Sequence, residues 1–140
     1  MKILIGLTKS NDLKFYIDSY RDLSKKINKE NKNNINILNK LNKLDRKIND
    51  LLKNELDYFY KFDNDAYQLL DKSLSNSKYY NDIFASINNK KEAKLILKEI
   101  KNNLNNEKII NQYKDLYEKM KEDQYLICWN LGDDDLNELL

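Results

Sequence analysis

The sequence contains no histidine and no proline, and it has only two glycines and one cysteine. Without histidine the chain lacks the commonest general base and the commonest metal ligand, which excludes serine-type catalytic triads. The single cysteine, Cys128, excludes an internal disulfide framework, and we expect it to be a buried structural thiol. These absences predict a protein that is not an enzyme and that uses no cofactor.

Turn-forming residues are scarce, because Gly6 and Gly132 are the only glycines and proline is missing. An all-β domain needs many turns, and valine, which strands favour, is also missing. The composition therefore favours a few long helices. No apolar run approaches the roughly 20 residues of a membrane span, and the apolar N-terminal run is too short for a signal peptide. We expect a cytoplasmic protein with no membrane contact.

Hydrophobic periodicity predicts the helices. The first helix begins near Ser10 and runs to about Lys29. A second, very long amphipathic helix is predicted from Ile35 to Lys72, roughly 55 Å in length. Its first half carries apolar residues spaced 4, 3, 4 and 3 apart, as in a coiled-coil seam: Ile37, Leu41, Leu44, Ile48 and Leu51. A short helix near residues 79–87 and helical patterns at 93–104 and 109–120 follow.

The predicted fold class is all-α, a bundle or hairpin of four or five helices dominated by the long helix. Two short apolar runs are each readable in two ways: residues 2–8 as a strand or an extended arm, and residues 125–131 as a strand or an extended docking segment. As strands, the two could pair into a small two-stranded ribbon. The length of 140 residues suits one domain, which we place at residues 1–132. Residues 133–140 are rich in acids and form a predicted acidic tail.

Basic residues concentrate in residues 25–53, which hold nine lysines and arginines against three acids. A lysine-rich helix face can bind phosphate backbones, so this basic 25–53 face is an alternative nucleic-acid site. Its candidate residues are Lys40, Lys43, Arg46 and Lys47. The abundance of Asn, Lys, Ile and Tyr resembles the bias of an AT-rich genome, which weakens the argument from lysine content.

Tyrosine, tryptophan and the C-terminal segment supply candidates for a protein interface. Tyrosine offers large contact area at small entropic cost, and the single tryptophan is either core or a binding anchor. The acidic tail is a solubilising segment or a contact for a basic partner, and its last residues match a Leu-x-x-Leu-Leu docking pattern. The candidate residues are Tyr58, Tyr60, Tyr67, Trp129, Asp133, Asp134, Asp135, Leu136, Leu139 and Leu140.

Two other motifs are weak. Gly6 followed by Lys9 and Ser10 resembles the end of a phosphate-binding loop, but Thr8 stands where that loop needs glycine. The acidic pair Asp63 and Asp65 lacks the spacing and the glycine of a calcium loop. We therefore predict neither a nucleotide site nor a metal site.

The favoured hypothesis is a non-enzymatic protein–protein interaction module. Small size, biased composition and the absence of catalytic motifs are typical of a phage or mobile-element protein that binds and inhibits a host protein, for example an anti-CRISPR. The first alternative is a nucleic-acid-binding protein that uses the basic 25–53 face. The second is a structural coiled-coil protein, and the short heptad seam would also allow a homodimer.

Overall fold

The computed structural model describes residues 2–30, 32–79 and 87–131, and these form a sheet packed between two layers of helices. The three described strands are β1 (Lys2–Thr8), β2 (Tyr58–Phe62) and β3 (Tyr125–Leu131). The five described helices are α1 (Asn11–Lys25), α2 (Ile35–Glu55), α3 (Asn64–Leu74), α4 (Lys90–Asn103) and α5 (Glu107–Lys119).

The central strand is β1, which pairs antiparallel with β2 on one edge and with β3 on the other. Ile5 lies opposite Tyr60 of β2 and opposite Cys128 of β3. A strand with neighbours on both edges and helices on both faces must be apolar throughout. This explains why every residue of β1 after Lys2 is buried.

Side chains of β1 alternate between two hydrophobic cores. Ile3, Ile5 and Leu7 face the core that helices α3, α4 and α5 cover, whereas Leu4 faces the core beneath α1 and α2. The strand β3 divides in the same way, since Cys128 joins the first core and Trp129 the second. The two helical layers are therefore held together through the sheet.

Each described helix begins with a side chain that caps its free backbone N–H groups. The side-chain oxygen accepts a hydrogen bond from a backbone N–H two or three residues later, which stabilises a helix start by about 1 kcal/mol. The capping residues are Ser10, Asn34, Asp63, Asn89 and Asn106. The many asparagines of the composition thus have a structural use here. Helices α2, α4 and α5 end without glycine, because the next residue takes an extended conformation.

The all-α prediction is wrong, since the fold is a mixed one of helices and a three-stranded sheet. The very long helix from Ile35 to Lys72 does not exist, because α2 ends at Glu55. The backbone N–H of Asp57 then donates to the carbonyl of Leu7 at 2.9 Å, and the chain continues as β2 beside β1. The central strand offers unpaired backbone groups, and satisfying them favours strand over helix at this point.

The misleading signal was the spacing of Leu56, Phe59 and Phe62, which repeats every three residues as a helix face does. The same segment also fits the two-residue period of a strand, in which successive side chains point to opposite faces, and the structure follows that period. Tyr60 and Phe62 face the core under α5, whereas Phe59 faces the other side of the sheet and is 36% exposed. In a five-residue strand both periods fit, so periodicity alone does not distinguish them.

The coiled-coil prediction is also wrong. In α2 the seam residues Leu41 and Ile48 are buried within this chain. Helix α2 packs on α1, and Ile48 lies in the core against the sheet. The heptad-like spacing thus reflects the face that a helix presents to its own core. None of the described helices combines the length and the apolar character that crossing a membrane would need.

Residues 2–8 and 125–131 do pair, but as two of the three strands at the centre of the fold and not as a separate ribbon. The acidic tail, residues 133–140, lies outside the described residues. The same is true of residues 80–86, which make up most of the short helix predicted near residues 79–87.

We predict that Gly6→Ala destabilises the fold by about 1–3 kcal/mol, the usual effect of overpacking. A Cβ atom at Gly6 would lie 2.8 Å from the Cβ of Phe59 and 3.0 Å from the carbonyl oxygen of Tyr58. The free energy of unfolding from urea titration measures the effect. Where space exists, replacing a strand glycine with alanine stabilises a protein. An unchanged or increased stability would therefore contradict the close approach of β1 and β2.

Candidate functional site

A groove of about 580 Å³ lies between α4 and α5, on the outer side of that helical layer. Such a volume is within the usual range of ligand and peptide pockets. Its walls combine lysines with apolar side chains. The lining residues are Lys91, Lys94, Leu95, Leu97, Lys98, Lys101, Lys114, Tyr117 and Glu118.

The α4 wall carries a lysine stripe, by which we mean Lys91, Lys94, Lys98 and Lys101. Their spacing of 3, 4 and 3 residues places all four on one face of the helix. Each side chain is exposed. Within the described part of the chain, no carboxylate forms an ion pair with any of the four. The stripe therefore presents positive charge that the described residues leave uncompensated.

The opposite side of α4 explains why the helix lies where it does. Ala93, Ile96 and Ile100 are buried in the core against the sheet. Asn89 caps the helix start, and the carboxylate of Glu92 accepts from the backbone N–H of Asn88 at 3.2 Å. A capped, packed helix thus holds the lysine stripe in a fixed direction.

Apolar side chains form the floor of the groove. Leu95 is 41% exposed and lies on the outer side of the helix beside the lysine stripe. Leu97 lies deeper and is 5% exposed. The ring of Tyr117 on α5 is covered by Lys90, whose Nζ lies 5.2 Å from the ring centroid.

The one acid of the groove lining is Glu118, and it lies 3.9 Å from Lys114 on the same helix. This pair is exposed and contributes little to stability. With the stripe, Lys114 and Glu118 counted together, positive charge exceeds negative by a wide margin. The groove is thus suited to an anionic ligand with an apolar side.

A second cluster joins β2 to α5 and contains Tyr58 and Tyr60. The hydroxyl of Tyr60 donates to Oδ2 of Asp115 at 2.6 Å, and that of Tyr58 lies 2.8 Å from the same oxygen. Lys119 Nζ is 3.2 Å from this Oδ2 and 3.7 Å from the centroid of the Tyr58 ring. The two tyrosine rings pack edge to face, 5.5 Å apart.

These contacts fix the charge states of the cluster. Hydrogen bonds from Tyr60 and Tyr58, with the charge of Lys119, lower the pKa of Asp115. The hydrogen bond to Asp115 raises the pKa of Tyr60, and the contacts with Tyr58 and Asp115 raise that of Lys119. A general acid or base works best with a pKa near neutrality, and these shifts move each group away from it. The arrangement is thus that of a structural link.

The structure places Tyr67 and Trp129 apart from that cluster. Trp129 is 7% exposed, its Nε1 donates to Asn49 Oδ1 at 3.1 Å, and its ring packs edge to face on Tyr20 at 4.9 Å. It lies in the core under α1 and α2, whereas half-buried Tyr67 packs on the opposite core. Tyr67 and Trp129 nevertheless line one small cavity of about 110 Å³, so the predicted aromatic residues fall into two groups, and their role in binding stays a prediction.

Cys128 also lies in the core beneath α3, α4 and α5. Complete burial raises the pKa of its thiol, so the reactive thiolate is disfavoured.

The basic residues predicted for nucleic acid lie on the outer side of α2. Lys40, Lys43 and Lys47 share one face, which we call the α2 lysine face, and Arg46 lies beside them. All four are exposed, and Lys47 Nζ lies 6.0 Å from the ring centroid of Tyr16. This face belongs to the layer opposite the groove. Asp133, Asp134, Asp135, Leu136, Leu139 and Leu140 are outside the described residues.

The sequence reasoning missed the lysine stripe, because charge was counted by segment. Residues 90–103 contain Glu92 and Glu99 among the lysines, so their net charge is less prominent than that of residues 25–53. The usable signal was the spacing of lysines at positions 91, 94, 98 and 101, with Leu95 beside them.

Comparison with known proteins does not identify the groove, so its role is inferred from the residues that line it. No protein-family model matches the chain, and no curated protein or solved structure matches it either. Among the described residues, no three His, Cys, Asp or Glu side chains come together in a way that could hold a metal ion.

We predict that Asp115→Asn lowers the melting temperature at neutral pH, because the charged hydrogen bonds from Tyr58, Tyr60 and Lys119 are weakened. A carboxyl with a lowered pKa stabilises the fold above the ordinary Asp pKa, and this contribution is lost as the pH falls through the lowered value. The difference between wild type and variant should therefore shrink in acid. Thermal unfolding followed by circular dichroism across pH measures it.

The matched control is Asp123→Asn, since Asp123 forms an exposed pair with Lys9 at 3.6 Å. Its effect on melting temperature should be small at neutral pH. A pH-independent difference for Asp115→Asn would contradict the electrostatic link between β2 and α5.

Proposed function

We propose that this chain is a non-enzymatic protein that binds another protein through the groove between α4 and α5. The observation that carries the proposal is the lysine stripe beside exposed Leu95, on a helix whose opposite face is already fully packed. Unpaired charges beside exposed apolar side chains are typical of a surface that binds another protein of complementary charge. The Tyr58, Tyr60 and Asp115 cluster supports a non-enzymatic role, because its groups are bonded to each other.

The biological role that we attach to this binding is inhibition. A small chain with an AT-rich bias in composition suits a phage or mobile-element protein that blocks a host factor, for example an anti-CRISPR. Binding through the groove would inhibit the host protein by covering a surface that the host protein needs for its activity. We place the interaction in the cytoplasm, where the lone buried thiol Cys128 requires no oxidation.

A second candidate function is nucleic-acid binding by the α2 lysine face. It is supported by the exposure and the shared direction of Lys40, Lys43 and Lys47. Only one arginine, Arg46, accompanies them, and the tyrosines predicted from the sequence lie on the other side of the sheet. Beside the lysines, half-buried Tyr16 offers a ring near Lys47 on which a base could stack, and such stacking strengthens single-strand binding.

The two lysine sets provide a matched test, because Lys91, Lys94 and Lys98 have the same spacing as Lys40, Lys43 and Lys47. We predict that tagged wild-type protein captures one dominant protein from nuclease-treated lysate of its native or host cells. Changing the three groove lysines to Glu should abolish capture, and changing the three α2 lysines to Glu should leave it intact. Both triple variants alter exposed positions, and equal melting temperatures would show that they fold.

The outcome distinguishes the two candidates. If the groove variant retains the captured protein, the groove is not the interface. If the captured material disappears with nuclease and with the α2 variant, the protein binds nucleic acid and our first proposal is wrong. The same capture is therefore also run without nuclease, and mass spectrometry identifies a captured protein whereas sequencing identifies a captured nucleic acid.

The acidic tail is tested separately, since its candidate role rests on sequence. Replacing Asp133, Asp134 and Asp135 with Asn should weaken capture if the tail contacts a basic surface of the partner. The measurement is the same capture at two salt concentrations, because such a contact is screened by salt. Equal capture by wild type and variant would remove the tail from the interface.

A further inference from the structure

The lysine stripe has a length and a repeat that constrain its ligand. From Lys91 to Lys101 the helix rises by about 15 Å, at about 1.5 Å per residue. Four positive charges thus follow one line at intervals of three and four residues. A ligand that compensates all four must carry anionic groups along a similar length.

The groove floor adds a second requirement. Leu95, exposed by 41%, is the main exposed apolar side chain of the groove, and half-buried Tyr117 and buried Leu97 lie beside it. A ligand that contacts only the lysines would leave Leu95 in water. The favoured ligand therefore has apolar side chains and negative charges on neighbouring faces.

We infer that the groove binds an acidic amphipathic helix of the partner protein, an inference that rests on the proposed function. Such a helix repeats apolar residues at intervals of three and four, which allows them to enter the groove between α4 and α5. Glu or Asp on the flanking face then meets the lysine stripe at the same helical repeat. The charge complementarity extends over about three turns.

Other anionic macromolecules match the groove less well. Nucleic-acid binding gains from arginine and from free aromatic faces, but the groove lining has no arginine and Lys90 covers the ring of Tyr117. A membrane surface is usually bound by a row of large apolar side chains, whereas Leu95 is the one strongly exposed apolar residue of α4.

The test uses a labelled synthetic peptide of about five turns. It contains Leu at intervals of three and four residues, Glu on the flanking faces and Ala elsewhere. A scrambled peptide of the same composition is the matched control, because it keeps the charge and loses the amphipathic face. Fluorescence anisotropy with the full chain measures binding.

We expect saturable binding of the amphipathic peptide and weaker binding of the scrambled one. Lys91→Gln, Lys94→Gln and Lys98→Gln combined should weaken binding about tenfold or more, since each exposed pair contributes modestly. The same changes at Lys40, Lys43 and Lys47 should alter it less than about twofold. Leu95→Asn, which removes the apolar side chain without adding charge, should also weaken binding, and a purely electrostatic attraction would not require this.

Several results would overturn the inference. These are equal binding of both peptides, equal effects of the two lysine variants, or no saturation up to about 1 mM peptide. Displacement of the peptide by a single-stranded oligonucleotide, or by vesicles of phosphatidylcholine with one quarter phosphatidylserine, would assign the groove to that ligand instead.

The experiment separates this inference from the proposed function. If a captured protein depends on the groove lysines but the peptide neither binds nor competes with it, the protein-binding function stands and the acidic helix is wrong. If the peptide binds at the groove while the captured material is nuclease-sensitive and lost only with the α2 variant, the proposed function fails and the groove chemistry stands.

Discussion

The burial of β1 on both faces and both edges is the constraint on which the rest of the structure depends. Its alternating side chains enter two cores, so the α1–α2 layer and the α3–α5 layer share one strand. Gly6 permits the close approach of β2, because a side chain there would collide with Phe59. The strand leaves no polar face, which is why its sequence is an uninterrupted apolar run followed by the buried Thr8.

Because helices cover both faces of the sheet, the outer sides of those helices carry exposed charged side chains. The helix α4 combines a buried face of Ala93, Ile96 and Ile100 with the lysine stripe and Leu95 on its outer side. The layer opposite carries the α2 lysine face at the same spacing. The fold therefore directs two basic rows away from each other, and an apolar groove accompanies the one on α4.

Part of this architecture is predictable from the sequence. Short apolar runs next to turn residues indicate a strand or an extended segment at each end, and the structure has strands at both places. The sequence pattern predicts a helix over residues 58–62, because a five-residue segment fits two periods and only pairing with β1 decides between them. Its partner strand lies more than 50 residues away in sequence, and local pattern carries no information about such pairing.

The candidate site is likewise predictable only in part, because some of its features depend on tertiary packing. Tyr58 and Tyr60 were selected as surface residues, but their hydroxyl contacts with Asp115 on α5 depend on tertiary packing. A count of charge by segment predicts a basic site at residues 25–53 and does not distinguish α4. The groove itself exists only where α4 and α5 pack together, so its floor was not visible in either helix alone.

The order of the strands has a consequence for the way the chain is made. Lys2 pairs with Leu131, so the central strand emerges from the ribosome long before β3 does. At about 5–20 residues per second this interval lasts roughly 6–25 seconds. Pairing over such a distance along the chain also slows folding. Throughout that time the edge of β1 that pairs with β3 has no partner strand, although β2 becomes available earlier for the other edge.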